Sequence, residues 1–200
     1  MWEIILAAGW PIWPLIIASI IALAIIVERF WALRSEIVAP STLLTDVETW
    51  MSQGVISKES LTKLKGHSLL GQILSSALAN EKNSREVTKE AVEETGRAVA
   101  HHLEKYLSTL GTIATVAPLL GLLGTVIGMV ELFGAFTNSG HDVAQFARGI
   151  SVALYNTAAG IIVAVPAMIA YRYFRTKVDA LLLDMEQQAI KLVEILHGER

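Results

Sequence analysis

Residues Leu107–Phe136 read LSTLGTIATVAPLLGLLGTVIGMVELFGAF, and this stretch decides the fold class. It carries no charge before Glu131 and is long enough to cross a hydrocarbon layer of about 30 Å as a helix. Two further apolar blocks flank it in sequence, Trp10–Phe30 and Ile150–Phe174. The three blocks predict an all-α integral membrane protein with three transmembrane helices.

The composition excludes several classes of function. Of the 200 residues, 53% are hydrophobic and 18% are charged, and the formal net charge is −3. This balance gives no bulk basic surface for nucleic acid. The chain contains no cysteine, so disulfides, thiolate zinc sites, iron–sulfur clusters and thiol nucleophiles are excluded.

Basic residues predict the orientation in the membrane. They cluster on one side of the three blocks, and the connection between the second and third blocks holds only Arg148. By the positive-inside rule the N-terminus lies outside and the C-terminus inside. A cleaved signal peptide is the alternative for the first block, but MWEIILAAGW holds an acid and no base, so a retained span is expected. The clustered residues are Arg29, Arg34, Arg97, Lys105, Arg172, Arg175 and Lys177.

These spans divide the chain into seven predicted segments. A periplasmic interfacial segment (1–9) precedes the first transmembrane helix (10–30), and a cytoplasmic helical segment (31–106) leads to the second (107–136). A periplasmic loop (137–149), the third transmembrane helix (150–174) and a cytoplasmic C-terminal helix (175–200) follow.

The second and third spans are expected to extend far into the cytoplasm as helices. One helix is predicted from about Ser84 to Phe136, since no breaker interrupts the pattern. Asn83 and Glu86 have the spacing of a capping box. The predicted apolar positions of its cytoplasmic part are Val87, Ala91, Ala98 and Tyr106, and those of the C-terminal helix are Val178, Leu181, Leu182, Met185, Ile190, Val193 and Leu196.

Small residues and prolines crowd the second and third spans. Gly124 and Gly128 have the small-xxx-small spacing that lets helix backbones approach closely in a membrane. Ordinary helix packing is the favoured interpretation for these glycines, and structural bends are favoured for the prolines. The predicted packing positions are Gly121, Gly124, Gly128, Gly160, Pro118 and Pro166.

Five polar side chains at membrane depth are the candidate site: Thr125, Glu131, Ser151, Asn156 and Thr157. A threonine hydroxyl can return its hydrogen bond to its own helix, whereas Asn156 should face another helix or water. A charged Glu131 would cost about 2.5–3.5 kcal/mol near the centre of a span and less toward the interface. It is either an acid that reaches the outer headgroups or a titratable group at the mouth of an ion path.

At these residues the sequence resembles the ExbB/TolQ/MotA proton-channel family. The resemblance lies in APLLGLLGTVIGMVELF (Ala117–Phe133), GISVALYNTAAGIIVAVPAMIAY (Gly149–Tyr171) and ERFWALR (Glu28–Arg34). Chain length and three spans are most like ExbB or TolQ, since MotA-type subunits have a fourth span and a larger cytoplasmic part.

The resemblance implies a proton-driven motor and not an enzyme. It implies a homopentamer in the bacterial inner membrane whose second and third spans line a pore around ExbD- or TolR-like single-span subunits that carry an essential aspartate. Proton motive force would then act on a TonB- or TolA-like protein that spans the periplasm. Thr125 and Thr157 carry over as pore-lining hydroxyls. No cofactor is implied, and the driving ion is the proton or sodium.

One position departs from the family pattern. ExbB and TolQ commonly carry a glutamate three residues after the glycine that opens the third span, and here that residue is Val152. Chain direction predicts that Glu131 lies at a similar depth, so we hypothesise that Glu131 replaces the missing carboxylate.

Two other classes of function stay open. Because Val152 lacks a carboxylate, a non-conducting membrane scaffold ring is the alternative to a motor. A membrane enzyme is the weakest hypothesis, since adjacent His101 and His102 point to different sides of a helix and make a poor metal pair. The sequence leaves open which transport process is energised, and whether the chain is closer to ExbB or to TolQ.

Overall fold

The computed structural model describes residues 9–53, 57–139 and 143–198. The predicted all-α class agrees with it, since no strand occurs in these ranges. Apart from Gly9, the predicted interfacial segment 1–9 lies outside the described residues. The helices found there are α1 (Ile12–Ala32), α2 (Ser35–Val38), α3 (Leu43–Ser52), α4 (Lys58–His67), α5 (Leu69–Ala79), α6 (Arg85–Leu103), α7 (Leu107–Ser139) and α8 (Val143–Leu196).

Within the described residues, three helical stretches are long and apolar enough to cross a membrane, and each overlaps one of the three predicted spans. The chain divides into two compact units, each of which joins segments that are distant in sequence. The apolar unit comprises the residues up to Glu28 together with Tyr106–Tyr173. The charged unit comprises Arg29–Lys105 and the residues from Phe174 onward.

In the apolar unit, α1 packs through a narrow stripe. Its buried residues there are Ile12, Leu15, Ala22 and Ile25, which recur at helical spacing. Leu15 is 1% exposed and forms a cluster with Ala117 of α7 and Ala164 of α8. The remaining face of α1 is apolar and exposed, as expected of a helix that meets lipid or another subunit.

The charged unit is built around α5. This short helix contacts α4 and α6, and seven of its residues are buried. Ser68 ends α4 and caps α5, because its hydroxyl accepts a hydrogen bond from the Gly71 N–H at 3.0 Å. The helical run that begins at Lys58 therefore breaks at Ser68, and Gly66 lies inside α4.

The predicted single helix from Ser84 to Phe136 is wrong. It is interrupted between Leu103 and Leu107, where Tyr106 has a φ of +64°, a conformation that L-residues seldom adopt. The end of α6 frees the Leu103 carbonyl, which accepts a hydrogen bond from the Arg29 guanidinium at 3.3 Å. Arg29 is 4% exposed, so this contact satisfies two buried polar groups and stabilises the interruption.

Two local predictions for α6 are also wrong. Ser84 and not Asn83 is the N-cap, because the extended backbone of Ser84 aims its hydroxyl at the Val87 N–H, 3.5 Å away. The buried face consists of Thr88, Val99 and Leu103, whereas Val87 is exposed. The Thr88 hydroxyl can be buried because it donates to the Asn80 carbonyl at 2.9 Å.

The prediction that the third span continues as a long amphipathic helix is confirmed, since α8 runs without a break from Val143 to Leu196. Its C-terminal part buries Val178, Leu181, Met185 and Val193 as predicted, but Ile190 is exposed. Helix also covers most of the segment 137–149 that was predicted as a loop, while residues 140–142 lie outside the described ranges.

Replacing Gly71 by alanine is expected to destabilise the charged unit by about 1–3 kcal/mol, because an added β-carbon would collide with the backbone carbonyl of Leu64 in α4. Thermal unfolding of the purified full chain measures the effect as a lowered Tm. Gly66→Ala is the matched control, since nothing lies within 4 Å of a β-carbon there and alanine favours helix. Equal Tm values for the two variants would contradict the close contact.

Candidate functional site

The candidate site lies on the antiparallel pair that α7 and α8 form in the apolar unit. The backbones approach so closely that a β-carbon on Gly160 would lie 2.6 Å from the Ala117 carbonyl oxygen. One on Gly121 would lie 2.7 Å from the carbonyl oxygen of Asn156. Only glycine fits at these two positions, which supports the packing role predicted for them.

Asn156 is buried in this helix pair, with 1% of its surface exposed. A β-carbon on Gly124 would lie 2.7 Å from the Asn156 β-carbon and 3.0 Å from its side-chain nitrogen. Asn156 therefore faces another helix, as the sequence predicted. The absence of a side chain on Gly124 provides the space for an amide at membrane depth.

The hydroxyl groups of the candidate site make two kinds of hydrogen bond. Thr157 reaches across the pair and donates to the Gly121 carbonyl at 3.4 Å. Thr125 donates to Leu122 of its own helix at 2.6 Å, and Ser151 donates to Ala147 at 3.0 Å. Because Thr125 and Ser151 donate to carbonyls of their own helices, both hydroxyl donors are satisfied.

The antiparallel register arranges the five residues in two levels. Because Gly124 faces Asn156 and Gly121 lies beside Thr157, Thr125 is within about one helical turn of both polar residues along the helix axes. A second level lies further toward the connection between α7 and α8. There Leu132 packs against Gly149 and Gly128 faces Ala153, which brings Glu131 and Ser151 to similar heights.

Glu131 shares the angular position of Gly124 and Gly128 by spacing, yet its side chain is exposed. The reason is local, since Leu132 and not Glu131 fills the space beside Gly149. The same register places the backbone of residue 152 within about one turn of Glu131. Within the described ranges, no cluster of three or more His, Asp and Glu side chains could hold a metal ion.

Pro118 and Pro166 both lie inside helices, in α7 and α8. Proline has no N–H, so the carbonyl of the residue four positions earlier receives no helical hydrogen bond from it. In α7 that carbonyl belongs to Ala114. A free backbone acceptor at this depth needs a partner from another helix or from water.

Sequence reasoning missed two packing residues. Arg29 was used only to predict the orientation in the membrane. Arg29 is buried, and it lies seven residues after Ala22 and fourteen after Leu15, which are also buried. Tyr171 of α8 lies against α7, where a β-carbon on Gly111 would be 3.2 Å from its ring. Sequence spacing could have indicated both residues, because each lies one helical turn beyond a row of small or apolar residues.

The pattern of the MotA/TolQ/ExbB proton channel family matches residues 65–187, which is more than half of the chain and includes α7 and the part of α8 that packs against it. The chain belongs to this family. The resemblance inferred from the second and third spans is thereby confirmed, and a proton channel is the activity for which the family is described.

Relatives of this chain are named as biopolymer transport proteins or as a protein of the Tol-Pal system. The chain is 30% identical to biopolymer transport protein ExbB-like 1 of Synechocystis, over 84% of this chain and 67% of that protein. It is 28% identical to biopolymer transport protein exbB1 of Vibrio cholerae, over 80% of this chain and 72% of that protein. A Tol-Pal system protein TolQ of Haemophilus influenzae is 35% identical over 48% of this chain and 43% of its own length.

Replacing Gly121 by alanine is expected to separate α7 from α8 and to lower the stability of the helix pair by about 1–3 kcal/mol. The added carbon would meet backbone atoms of Asn156 and Thr157, which cannot rotate away. Thermal unfolding in nanodiscs measures the change in Tm. Gly134→Ala is the control on the same helix, because a β-carbon at Gly134 meets nothing within 4 Å; a Tm for Gly121→Ala no lower than that of the control would refute the contact.

Proposed function

We propose that this chain is the ring-forming subunit of a proton-driven motor in the bacterial inner membrane. In this proposal five copies surround ExbD- or TolR-like single-span subunits, each with an essential aspartate. Proton motive force then produces mechanical work on a TonB- or TolA-like protein for outer-membrane transport. The N-terminus lies outside and the C-terminus inside, as the positive-inside rule predicts.

The level formed by Thr125, Asn156 and Thr157 is the observation that carries this proposal. Polar side chains are expensive within a span, and here three come together on the helix pair that the family pattern matches. Hydroxyl and amide groups at one depth provide hydrogen-bonding partners for a carboxyl group of a neighbouring helix. This supports a protonatable aspartate of a partner subunit at that level.

The names of the relatives support the coupling to transport. The Synechocystis and Vibrio cholerae relatives are biopolymer transport proteins, and the Haemophilus influenzae relative belongs to the Tol-Pal system. Each proton that crosses a potential of 100 mV releases about 2.3 kcal/mol. That energy suffices to shift an element between states that differ by a few kcal/mol.

Glu131 is proposed as the acid that replaces the carboxylate missing at Val152. The register supports this role, because residue 152 and Glu131 lie within about one turn of each other along the paired helices. The exposed side chain of Glu131 can exchange protons with water at the connection end of the pair. An acid there would collect protons before they reach the level of Thr125.

A non-conducting scaffold ring is the second candidate, and Val152 is the observation that favours it. A valine cannot relay a proton, so the chain would serve only to hold partner helices if Glu131 does not take over. Close packing of α7 on α8 would suit either function. Ion flux distinguishes the two candidates.

Glu131→Gln is expected to reduce proton flux about tenfold or more in liposomes that contain this chain and its single-span partner, because the amide cannot carry a proton. Flux is measured under an imposed pH gradient and potential. Glu36→Gln, which alters an exposed carboxylate of the charged unit, is the matched control and should leave flux unchanged.

The partner aspartate is changed to asparagine in the same series. Loss of flux in that variant supports the motor, and flux that survives it argues against the proposed mechanism. If Glu131→Gln leaves flux unchanged, Glu131 does not replace the carboxylate missing at Val152, whereas the proposal of a proton-driven motor stands. Absence of both proton and sodium flux from the unaltered complex would favour the scaffold.

A further inference from the structure

Tyr106 has a backbone conformation that no other non-glycine residue of the described ranges adopts, and it lies in the interruption between α6 and α7. Its φ of +64° belongs to the left-handed region, where a residue with a β-carbon is strained. Helices often end with a residue in this region, and that residue is usually glycine. A tyrosine there indicates that contacts outside the local sequence hold the backbone in this conformation.

The interruption is confined to the backbone around Tyr106. Before it, Glu104 has near-helical dihedral angles, with φ −75° and ψ −6°, and its N–H donates to the Ala100 carbonyl at 3.0 Å. After it, the Leu110 N–H donates to the Tyr106 carbonyl at 3.0 Å, as in the first turn of an α-helix. A change of φ at Tyr106 from positive to negative is therefore the main step that would join α6 and α7 into one helix.

The local sequence favours the continuous helix. Residues 97–110 contain neither glycine nor proline, which are the residues that most strongly disfavour a helix. In a continuous helix the Leu107 N–H would donate to the Leu103 carbonyl, four residues earlier. The interrupted form gives up this bond and strains Tyr106, so the local preference opposes it.

A contact from a distant segment favours the interrupted form. The Arg29 guanidinium donates to the Leu103 carbonyl at 3.3 Å and so provides the partner that Leu107 would provide in a continuous helix. Arg29 is 4% exposed, and a buried guanidinium needs acceptors for its N–H groups. The salt bridge between Arg175 and Glu104, at 2.9 Å, can persist in either form, because Glu104 is already near-helical.

A segment whose local preference and tertiary contacts oppose each other is suited to switching. Where the two agree, a single conformation dominates, whereas opposed terms of similar size leave two conformations close in free energy. Strained backbone persists only while its surroundings hold it. Here the two conformations differ chiefly at Tyr106, and the buried side chain of Arg29 favours one of them.

We propose that residues 104–106 form a switch between the interrupted form and a continuous α6–α7 helix, and that Arg29 controls it. While Arg29 binds the Leu103 carbonyl, the backbone of Tyr106 remains left-handed. When Arg29 leaves, Tyr106 takes right-handed helical angles and the Leu107 N–H binds the Leu103 carbonyl. The switch goes beyond the proposed function, because it is a property of this chain whether or not the chain conducts ions.

Tyr106→Gly and Tyr106→Ala test the switch as a matched pair. Both remove the phenol and they differ by one methyl group, so a lost side-chain contact affects them equally. Glycine tolerates the left-handed region, whereas alanine is strained there and favours helix. Tyr106→Gly is therefore expected to keep the interrupted form, and Tyr106→Ala is expected to shift the chain toward the continuous helix.

Spin labels at Glu94→Cys and Thr112→Cys measure the two forms, since the chain contains no native cysteine. Both positions are exposed, and five turns of a continuous helix would place them about 27 Å apart, which is called the helical distance. The full chain is studied in nanodiscs and diluted with unlabelled chain, so that distances within one copy are measured. Labels at Tyr173→Cys and Lys191→Cys have the same separation in sequence on the unbroken α8 and provide the reference.

The ratio of the helical distance to all other distances between the two labels is expected to be at least about tenfold larger in Tyr106→Ala than in Tyr106→Gly. Equal ratios in the two variants would overturn the proposal. Absence of the helical distance from both variants would overturn it as well, because the interruption would then be fixed by the remaining contacts.

Arg29→Met tests the control by Arg29. The helical distance is expected to become at least about tenfold more populated, since a hydrogen bond from a charged donor is lost. Adding Tyr106→Gly to this variant is expected to restore the interrupted form. An Arg29→Met chain that stays interrupted would refute the role of Arg29, and the Tyr106 pair decides the switch even if Arg29→Met fails to fold. None of these distances depends on proton flux, so failure of the proposed function would leave the result unchanged.

Discussion

The close approach of α7 and α8 is the constraint on which the apolar unit depends. Lipid tails are as apolar as leucine, so helices in a membrane gain little from hiding hydrophobic surface and rely on tight packing and hydrogen bonds. Gly121 and Gly160 bring the two backbones within contact. That approach allows the Thr157 hydroxyl to reach the Gly121 carbonyl and leaves room for Asn156 beside Gly124.

This packing also determines which surfaces of α7 are free for function. One face packs against α8 through small residues and Leu132, so other polar and large apolar side chains occupy the remainder. The exposed surface then carries the large apolar side chains of Leu119, Val126 and Val130 and the exposed hydroxyl residues Thr112 and Thr115. Large apolar side chains are suited to lipid, whereas hydroxyls can also bind water.

The charged unit shows how contacts between distant segments override local pattern. Nothing near Tyr106 in sequence marks the interruption between α6 and α7, and no glycine or proline occurs there. The Arg29 guanidinium satisfies the Leu103 carbonyl that the interruption frees, across 74 positions of sequence. Similarly, Thr88 is buried in place of Val87 because its hydroxyl finds the Asn80 carbonyl in the preceding turn.

The sequence alone determined the all-α class, the three apolar helices, the family and the glycines of the paired spans. These features depend on the lengths of apolar segments and on the local spacing of small residues, and both can be read from the amino-acid sequence. Only the tertiary structure decided where the second long helix is interrupted, which residue caps α6, why Glu131 is exposed and which polar residues lie at the level of Thr125. Those features depend on partners from other helices, and sequence spacing does not specify such partners.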